Sequence, residues 1–105
     1  MKIEISEKKT DLVVANTFIK RLKGLMFKRN IKYGMIFNKC NSIHTFCMFS
    51  HIDVLMLDKD DYVLFVYKNF LPNRIILPKK NVVKVIELPP QSIKGNLVGK
   101  KATIL

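Results

Sequence analysis

The sequence lacks the features that mark membrane-spanning, exported and disulfide-stabilised chains. No apolar run reaches the roughly 18 residues that a membrane-spanning helix needs. The start of the chain, Met1 to Glu7, alternates like a strand and lacks the apolar stretch of a signal peptide. Two cysteines, Cys40 and Cys47, are too few for a disulfide framework, and a reducing compartment would leave both as thiols. We therefore expect a cytoplasmic protein without a membrane span.

Acidic residues are also scarce, since 8 Asp and Glu stand against 19 Lys and Arg and give a net charge of +11. Between Asp11 and Asp53 the chain contains no acid at all. A field of one sign attracts polyanions, so this stretch is consistent with a nucleic-acid or anion-binding face, and equally with ordinary lysine solvation. The candidate anion-binding residues are Lys20, Arg21, Lys23, Lys28 and Arg29, in a basic stretch that extends to Lys39, together with the C-terminal lysines.

The remaining composition, with 49% hydrophobic and 26% charged residues in 105, indicates one globular domain spanning residues 1–105. Short runs rich in β-branched residues, separated by turn residues, predict many short strands. A β-hairpin is predicted over His51–Lys68, and a two-turn helix over Thr17–Gly24, capped by Thr17 or Asn16 and stopped by Gly24. The predicted fold is therefore mainly β, a compact β-sandwich or barrel-like single domain with one short N-terminal helix.

Every cysteine and histidine of the chain falls in one short segment, as Cys40, His44, Cys47 and His51 in a C-x3-H-x2-C-x3-H pattern. These are zinc-binding residue types, but the spacing is compressed and the intervening residues are apolar and not turn-forming. A Cys–His nucleophilic pair oriented by Asp53 is the other chemical interpretation. We favour neither, and expect residues 43 to 57 to line the packed interior, where a thiol is inert.

The acidic cluster Asp58, Asp60 and Asp61 lies between two predicted strands. A calcium loop would need more oxygen ligands, a glycine and a later glutamate, whereas aspartate suits the turn of a hairpin. The sequence therefore predicts no bound metal and no cofactor.

Several segments, taken in order, resemble the domain of unknown function 192 (DUF192) family of prokaryotic proteins. They are "RLKGLMFK" (residues 21–28), "GMIF" (34–37), "IHTFCM" (43–48), "IDVLMLDKDD" (52–61), "VIELP" (85–89) and "LVGKKATI" (97–104). The resemblance implies a compact, mostly β, sandwich-like domain with a short N-terminal helix, and no established activity. The recurrent features of the family fall on Gly24, Leu25, Met26, Phe37, His44, Thr45, Phe46, Met48, Asp53, Asp58, Glu87, Leu88 and Pro89.

The sequence departs from the family pattern at several turns. Cys47 stands where the family often has Trp or Gly, His51 where it often has Pro, and Asp61 where it has the hairpin glycine. After Glu-Leu-Pro, the usual small residue and glycine are replaced by Pro90 and Gln91, and the acid usual after the late glycine by Lys100. A family-wide zinc or Cys–His mechanism therefore cannot rest on Cys47 and His51, and a site around these turns would be altered in this chain.

Four polar residues remain inside the apolar pattern, His44, Thr45, Asp53 and Glu87, and they are the candidate ligand-pocket residues. On one interpretation each carboxylate is structural, capping backbone N–H groups of a loop or pairing with a basic residue such as Arg21. On the other, His44, Asp53 and Glu87 converge on one pocket that binds a ligand.

No catalytic triad or glycine-rich phosphate loop is present, so the sequence does not predict an enzyme. We expect a non-catalytic binding or accessory protein that uses a small polar pocket or a partner surface. The alternative is a basic nucleic-acid or anion-binding module. A small ligand, a protein and a nucleic acid all stay open as partners.

Overall fold

The computed structural model describes residues 1–105 apart from the side chain of Phe18. Over this part the chain forms nine strands and one helix. They are β1 (Lys2–Ile5), β2 (Lys8–Val14), α1 (Phe18–Lys23), β3 (Gly34–Asn38), β4 (Ile43–His44), β5 (Ile52–Leu57), β6 (Val63–Phe70), β7 (Ile75–Ile76), β8 (Lys84–Leu88) and β9 (Thr103–Ile104).

The main sheet contains seven strands in the order β6-β5-β8-β3-β2-β1-β9, and β4 pairs with β7 in a separate two-stranded sheet. Strands β2 and β3 run parallel, and the other paired strands are antiparallel. An isolated bridge between Tyr62 and Lys101 joins the β5–β6 hairpin to the segment that leads into β9. The sheet therefore curls into a half-barrel, and the predicted mainly β single domain with one short helix is confirmed.

Both faces of the sheet are buried, which explains why its central strands are almost continuously apolar. One core cluster draws on both ends of the sheet, including Ile3 of β1 and Val63 next to the β5–β6 turn, so the sheet curls around it. The other cluster contains Phe37 and Val54 on the opposite face, where Leu25 and other residues outside the sheet cover it. Burying such side chains on both faces provides most of the stabilisation that a domain of this size can gain.

The helix begins and ends where its capping residues predict. The hydroxyl of Thr17 accepts a hydrogen bond from the backbone N–H of Lys20, and Gly24 ends α1 with a φ of 53°. The Arg21 guanidinium donates to the backbone carbonyls of Asn38 and Lys39, at 2.8 and 3.4 Å. These contacts fix the C-terminal half of α1 beside the end of β3. Among the described residues, no helix has the length and apolar character needed to cross a bilayer.

The predicted packed interior over residues 43 to 57 is correct for β5 and for Thr45 and Met48, and wrong for Phe46, Cys47 and Phe49. Residues 52–57 are buried throughout. After β4, however, the chain turns, and Phe46, Cys47 and Phe49 are exposed. The cause is the turn itself, since the N–H of Met48 bonds to the carbonyl of Thr45 and Cys47 has a φ of 61°. Cys47 is thus not an inert core thiol.

Candidate functional site

Two buried carboxyl side chains, Asp53 and Glu87, lie on the neighbouring strands β5 and β8 but on opposite faces of the sheet. In the register of these strands Glu87 pairs with Val54, and Asp53 pairs with Leu88. Residues paired directly across a sheet point to the same face, and successive residues of a strand alternate. Glu87 therefore shares its face with Val54, and Asp53 shares the other with Leu88.

Asp53 is 1% exposed, and both of its carboxylate oxygens accept hydrogen bonds from backbone N–H groups. Oδ1 accepts from Asn69 at 3.0 Å, and Oδ2 accepts from Ile93 at 2.9 Å. Asn69 has a φ of 53° and lies where the β5–β6 pairing shifts register. The carboxylate thus fixes an irregular part of β6 and the loop after β8, as the structural interpretation expects.

The side chain of Thr45 is likewise used inside the fold. It is 1% exposed, and its hydroxyl donates to the carbonyl of Leu71 at 2.7 Å and accepts from the N–H of Arg74 at 2.9 Å. These bonds join the turn after β4 to the loop before β7. A hydroxyl bonded in this way is satisfied without a ligand.

Glu87 is different, because its carboxyl group lies at a cavity and is only partly satisfied. It is 4% exposed, and among the described residues Oε1 has no hydrogen-bond partner. The cavity has a volume of about 100 Å³ and reaches the surface beside the exposed side chain of Leu22. Its walls are Arg21, Leu22, Lys23, Gly24, Leu25, Met26, Phe37, Cys40, Ser42, Ile43, His44 and Met48.

Burial raises the pKa of Glu87 from the usual 4.5 to about 8, and a backbone hydrogen bond from Leu25 opposes this rise only in part. The carboxyl group is therefore mostly protonated at neutral pH. In that state it donates a hydrogen bond through its O–H group and accepts one through its carbonyl oxygen. A buried polar atom without a partner is uncommon in folded proteins and calls for a ligand, a water molecule or a strain-based explanation.

Gly24 packs against the Glu87 carboxyl group and leaves little room for a side chain. A Cβ atom at this position would lie 3.1 Å from Oε1 of Glu87, closer than such atoms normally approach, and in contact with the Phe37 ring at 3.4 Å. The φ of 53° at Gly24 also disfavours any other residue. The glycine that ends α1 thus lets the backbone lie close against the Glu87 carboxyl group.

His44 forms part of the cavity wall. Its Nδ1 accepts a hydrogen bond from the backbone N–H of Phe46 at 3.3 Å, and its ring stacks on that of Phe46 with the centroids 5.0 Å apart. In the neutral imidazole the proton then lies on Nε2, which is a hydrogen-bond donor. The cavity thus combines a carboxyl group with an imidazole whose one nitrogen is fixed by the backbone.

Of the four pocket candidates, the structure brings His44 and Glu87 together at one cavity. Asp53 does not join them, because alternation along β5 directs its side chain to the other face of the sheet. Thr45 is the next residue after His44, but its hydroxyl is directed into the loop before β7. The interpretation in which His44, Asp53 and Glu87 converge on one pocket is therefore wrong for Asp53, and the cavity contains His44 and Glu87.

Of the cysteines and histidines of the compressed pattern, Cys40 and His44 line the cavity, whereas Cys47 and His51 do not. Cys40 is half-buried and its thiol donates to the carbonyl of Ser42, whereas Cys47 is exposed on the turn. In the part of the chain that the structure describes, no three His, Cys, Asp or Glu side chains are placed to hold a metal ion together. The aspartates serve the hairpin instead, since Oδ1 of Asp58 accepts from the N–H groups of Asp60 and Tyr62.

The candidate anion-binding residues are all exposed, on α1 and the segment that follows it. Arg21 and Lys23 also line the cavity that contains Glu87. Arg29 stacks over the ring of Phe49 at 4.5 Å, and that ring lies 5.8 Å from the ring of Phe27. Arg21, Lys23 and the exposed Leu22 therefore lie together at the cavity. Arg29 forms an exposed cluster with the rings of Phe27 and Phe49.

Three departures from the family pattern have a backbone explanation. Asp61 and Gln91 stand where the resemblance implies glycine, and Cys47 where it implies Trp or glycine; their φ angles are 68°, 62° and 61°. Glycine adopts this left-handed conformation without steric cost, whereas other residues rarely do. A glycine at these positions would therefore ease the turns.

Sequence reasoning missed the cavity-lining roles of Gly24, Cys40 and Ser42. Gly24 was expected only as a helix stop, and Arg21 only as a basic surface residue or a partner for a carboxylate. The resemblance to the family gives one indication of the role of Gly24, because Gly24 is a recurrent family residue beside Leu25 and Met26. All three residues line the cavity.

The fold and the cavity define a small half-barrel β-domain with a cavity beneath α1 that is lined by the carboxyl group of Glu87. Residues 1–104 match the profile of the DUF192 family, described as "Uncharacterized ACR". The chain belongs to this family.

Curated relatives agree with this assignment. A UPF0127 protein of Thermococcus gammatolerans is 43% identical, over 72% of this chain and 53% of the relative, so the chain spans about half of that relative's length. A UPF0127 protein of Pyrococcus horikoshii is 40% identical, over 72% of this chain and 70% of the relative.

Two crystal structures share the fold. A protein of unknown function from Novosphingobium aromaticivorans has a TM-score of 0.70 at 18% identity, over 86% of this chain and 71% of its own. A "putative transcription regulator" from Sinorhizobium meliloti has a TM-score of 0.75 at 17% identity, over 97% of this chain and 89% of its own. At such identities the likeness concerns the fold alone.

Proposed function

We propose that this domain is a non-catalytic binding module whose cavity beneath α1 takes a small polar group of a ligand. The observation that carries the proposal is the Glu87 carboxyl group, which is buried, faces the cavity and has an oxygen without a partner among the described residues. A polar group bound in the cavity would give the Glu87 carboxyl group a further hydrogen-bond partner.

The cavity limits the size of the bound group. An apolar cavity of about 150 Å³ can hold benzene, so the about 100 Å³ found here corresponds to roughly four non-hydrogen atoms. A larger ligand would place one polar end in the cavity and the rest over the exposed side chains at its mouth. This division is typical of pockets in which a few polar groups fix the orientation of the ligand.

The test is a fragment titration followed by NMR. Small polar molecules of about four non-hydrogen atoms are added, and the amide signals of Gly24 and Leu25 and the side-chain carboxyl signal of Glu87 are recorded. We expect at least one fragment to shift these signals, with the affinity falling about tenfold or more in Glu87→Leu, since one hydrogen bond to a buried group is worth about 1.4 kcal/mol or more.

Thr45→Ser is the matched control, because it alters a buried polar residue next to His44 but outside the cavity lining. Its fragment affinity should equal that of the unchanged protein. The proposed function would be contradicted if the fragments shifted the Gly24 and Leu25 signals equally in Glu87→Leu and in the unchanged protein. It would also be contradicted if no fragment shifted these signals in any variant.

A basic nucleic-acid or anion-binding module is the second candidate. The stacking of Arg29 on Phe49 favours it, because an exposed aromatic ring beside a guanidinium group can stack on an unpaired base. Arg21 is a poor probe, since its guanidinium group holds α1 against β3. We expect Lys20→Glu/Lys23→Glu/Arg29→Glu to abolish salt-dependent retention on single-stranded DNA if this module exists. Retention that is weak at low salt, or unchanged in this variant, would exclude it.

A further inference from the structure

We infer that the group recognised in the Glu87 cavity is a carboxylate, presented by the end of a ligand with an apolar body. This inference rests on the proposed function and assigns the ligand class of the same site. The polar groups around the cavity are mainly hydrogen-bond donors or positive charges, so they match an anionic acceptor.

The floor and one wall provide neutral donors. At the floor, Gly24 adds no side-chain atoms beside the Glu87 carboxyl group. The O–H group of protonated Glu87 can donate to a ligand oxygen, and a hydrogen bond from a carboxylic acid to a carboxylate is short and strong. On the wall, the bond from Phe46 to Nδ1 of His44 leaves Nε2–H as the donor of the neutral ring.

The mouth provides positive charge. Arg21 and Lys23 line the cavity, and both are exposed. Their positive charges are therefore available to attract an anion. The charged and titratable side chains that share the cavity with Glu87 are Arg21 and Lys23 from α1, Cys40 from the loop after β3, and His44 from β4. None of these groups repels an anion in its neutral or protonated form.

Exposed apolar side chains beside the cavity indicate the apolar body. Leu22 lines the cavity and is 57% exposed, and Phe46, stacked on the cavity residue His44, is 43% exposed. Burying one methylene group against such a surface contributes about 0.8 kcal/mol. A carboxylate with a short aliphatic chain should therefore bind more tightly than acetate.

Binding of a carboxylate to the protonated site has a defined pH dependence. Since Glu87 must keep its proton and the ligand must be ionised, affinity should be constant between about pH 6 and the Glu87 pKa of about 8, and fall by about tenfold for each further pH unit. Glu87→Gln keeps a donor but cannot ionise, so this variant should bind acetate with the same affinity at pH 6.5 and pH 9. A cationic ligand would show the opposite trend, with tighter binding at high pH.

The experiment compares acetate, acetamide and methylammonium at pH 6.5 and pH 9, with the amide signals of Gly24 and Leu25 as the readout. The expected result is that acetate binds most tightly at pH 6.5, weakens about tenfold or more at pH 9, and loses this dependence in Glu87→Gln. Methylammonium or acetamide binding as tightly as acetate would overturn the carboxylate assignment and leave the proposed function intact. No response to any of the three probes would overturn both.

The source of the carboxylate is distinguished by two further probes, hexanoate for a free aliphatic acid and N-acetyl-leucine for the end of a peptide chain. Either should bind about tenfold more tightly than acetate. Tighter binding of hexanoate assigns a free acid, and tighter binding of N-acetyl-leucine assigns a peptide terminus. Affinities equal to that of acetate for both would overturn the apolar part of the inference.

Discussion

Asp53 and Glu87 are both almost fully buried on adjacent strands, yet their surroundings differ in every other respect. Asp53 accepts hydrogen bonds from two backbone N–H groups, which hold an irregular part of β6 and the loop after β8. Glu87 faces a cavity, with its Oε1 atom unbonded among the described residues. The comparison shows that burial alone does not distinguish a structural carboxyl group from a binding one, whereas the satisfaction of each oxygen does.

The largest effect on the free energy of unfolding is expected when the structural carboxylate, Asp53, is removed. Asp53→Ala leaves the N–H groups of Asn69 and Ile93 without an acceptor in the core. Hydrogen bonds to a charged group contribute about 1.5 to 3 kcal/mol each, so the free energy of unfolding should fall by about 3 to 6 kcal/mol. Urea denaturation at pH 7 measures this change.

Asp60→Ala is the control for this measurement, because Asp60 lies on the hairpin turn, and its carboxylate pairs only with the exposed Lys59, at 3.6 Å. Its effect should stay within about 0.5 kcal/mol, as for most surface substitutions. If Asp53→Ala and Asp60→Ala destabilise the protein equally, the structural role of Asp53 is wrong.

Replacing Glu87 should have an intermediate effect on the free energy of unfolding, and this effect should depend on pH. The folded protein holds this proton up to about pH 8, whereas the unfolded chain releases it near pH 4.5. The stability that Glu87 contributes is therefore fully present below pH 4.5 and is lost as the pH rises towards 8. Relative to the unchanged protein, Glu87→Gln should thus become more stable by about 2 to 4 kcal/mol between pH 5 and pH 8.

Urea denaturation of both proteins at pH 5, 6.5 and 8 measures this difference. The two proteins share every other titrating group, so their difference isolates Glu87. A difference that stays constant over this range would show that Glu87 is ionised in the folded state and would remove the contrast with Asp53.

The smallest effect is expected at the turn after β4. Cys47 has a φ of 61°, a conformation that costs a non-glycine residue about 1 to 2 kcal/mol. Cys47→Gly relieves this strain but increases the entropy of the unfolded chain, so the protein should gain about 0.5 kcal/mol. The melting temperature should rise by a few degrees, whereas Cys47→Ala, which keeps the strain, should leave it unchanged. A lower melting temperature for Cys47→Gly would indicate a packing role for this side chain.

The sequence was sufficient to predict the elements of the fold. Alternation and turn residues placed the hairpin of β5 and β6, and Thr17 and Gly24 placed the ends of α1. It could not predict which polar residues share a face. That depends on β8 lying between β5 and β3, and on the register that pairs Glu87 with Val54, neither of which is encoded locally.

The site was predicted only in part for the same reason. His44 and Glu87 are distant in sequence and meet because α1 and β4 cover the same face of the sheet. The apolar residues around Cys47 predict interior packing, but the positive φ of Cys47 belongs to a turn that exposes Phe46 and Phe49. A backbone conformation of this kind in a cysteine is not readable from residue type.

The most direct test of the contrast between the two carboxyl groups is an NMR titration of the Glu87 side-chain carboxyl carbon. The structure predicts a midpoint near pH 8 in the folded protein, because the group is buried at the cavity floor with little to stabilise its charge. Ionisation of Glu87 near pH 4.5, as for an exposed glutamate, would contradict the claim that this carboxyl group is protonated at neutral pH and can donate a hydrogen bond to a ligand.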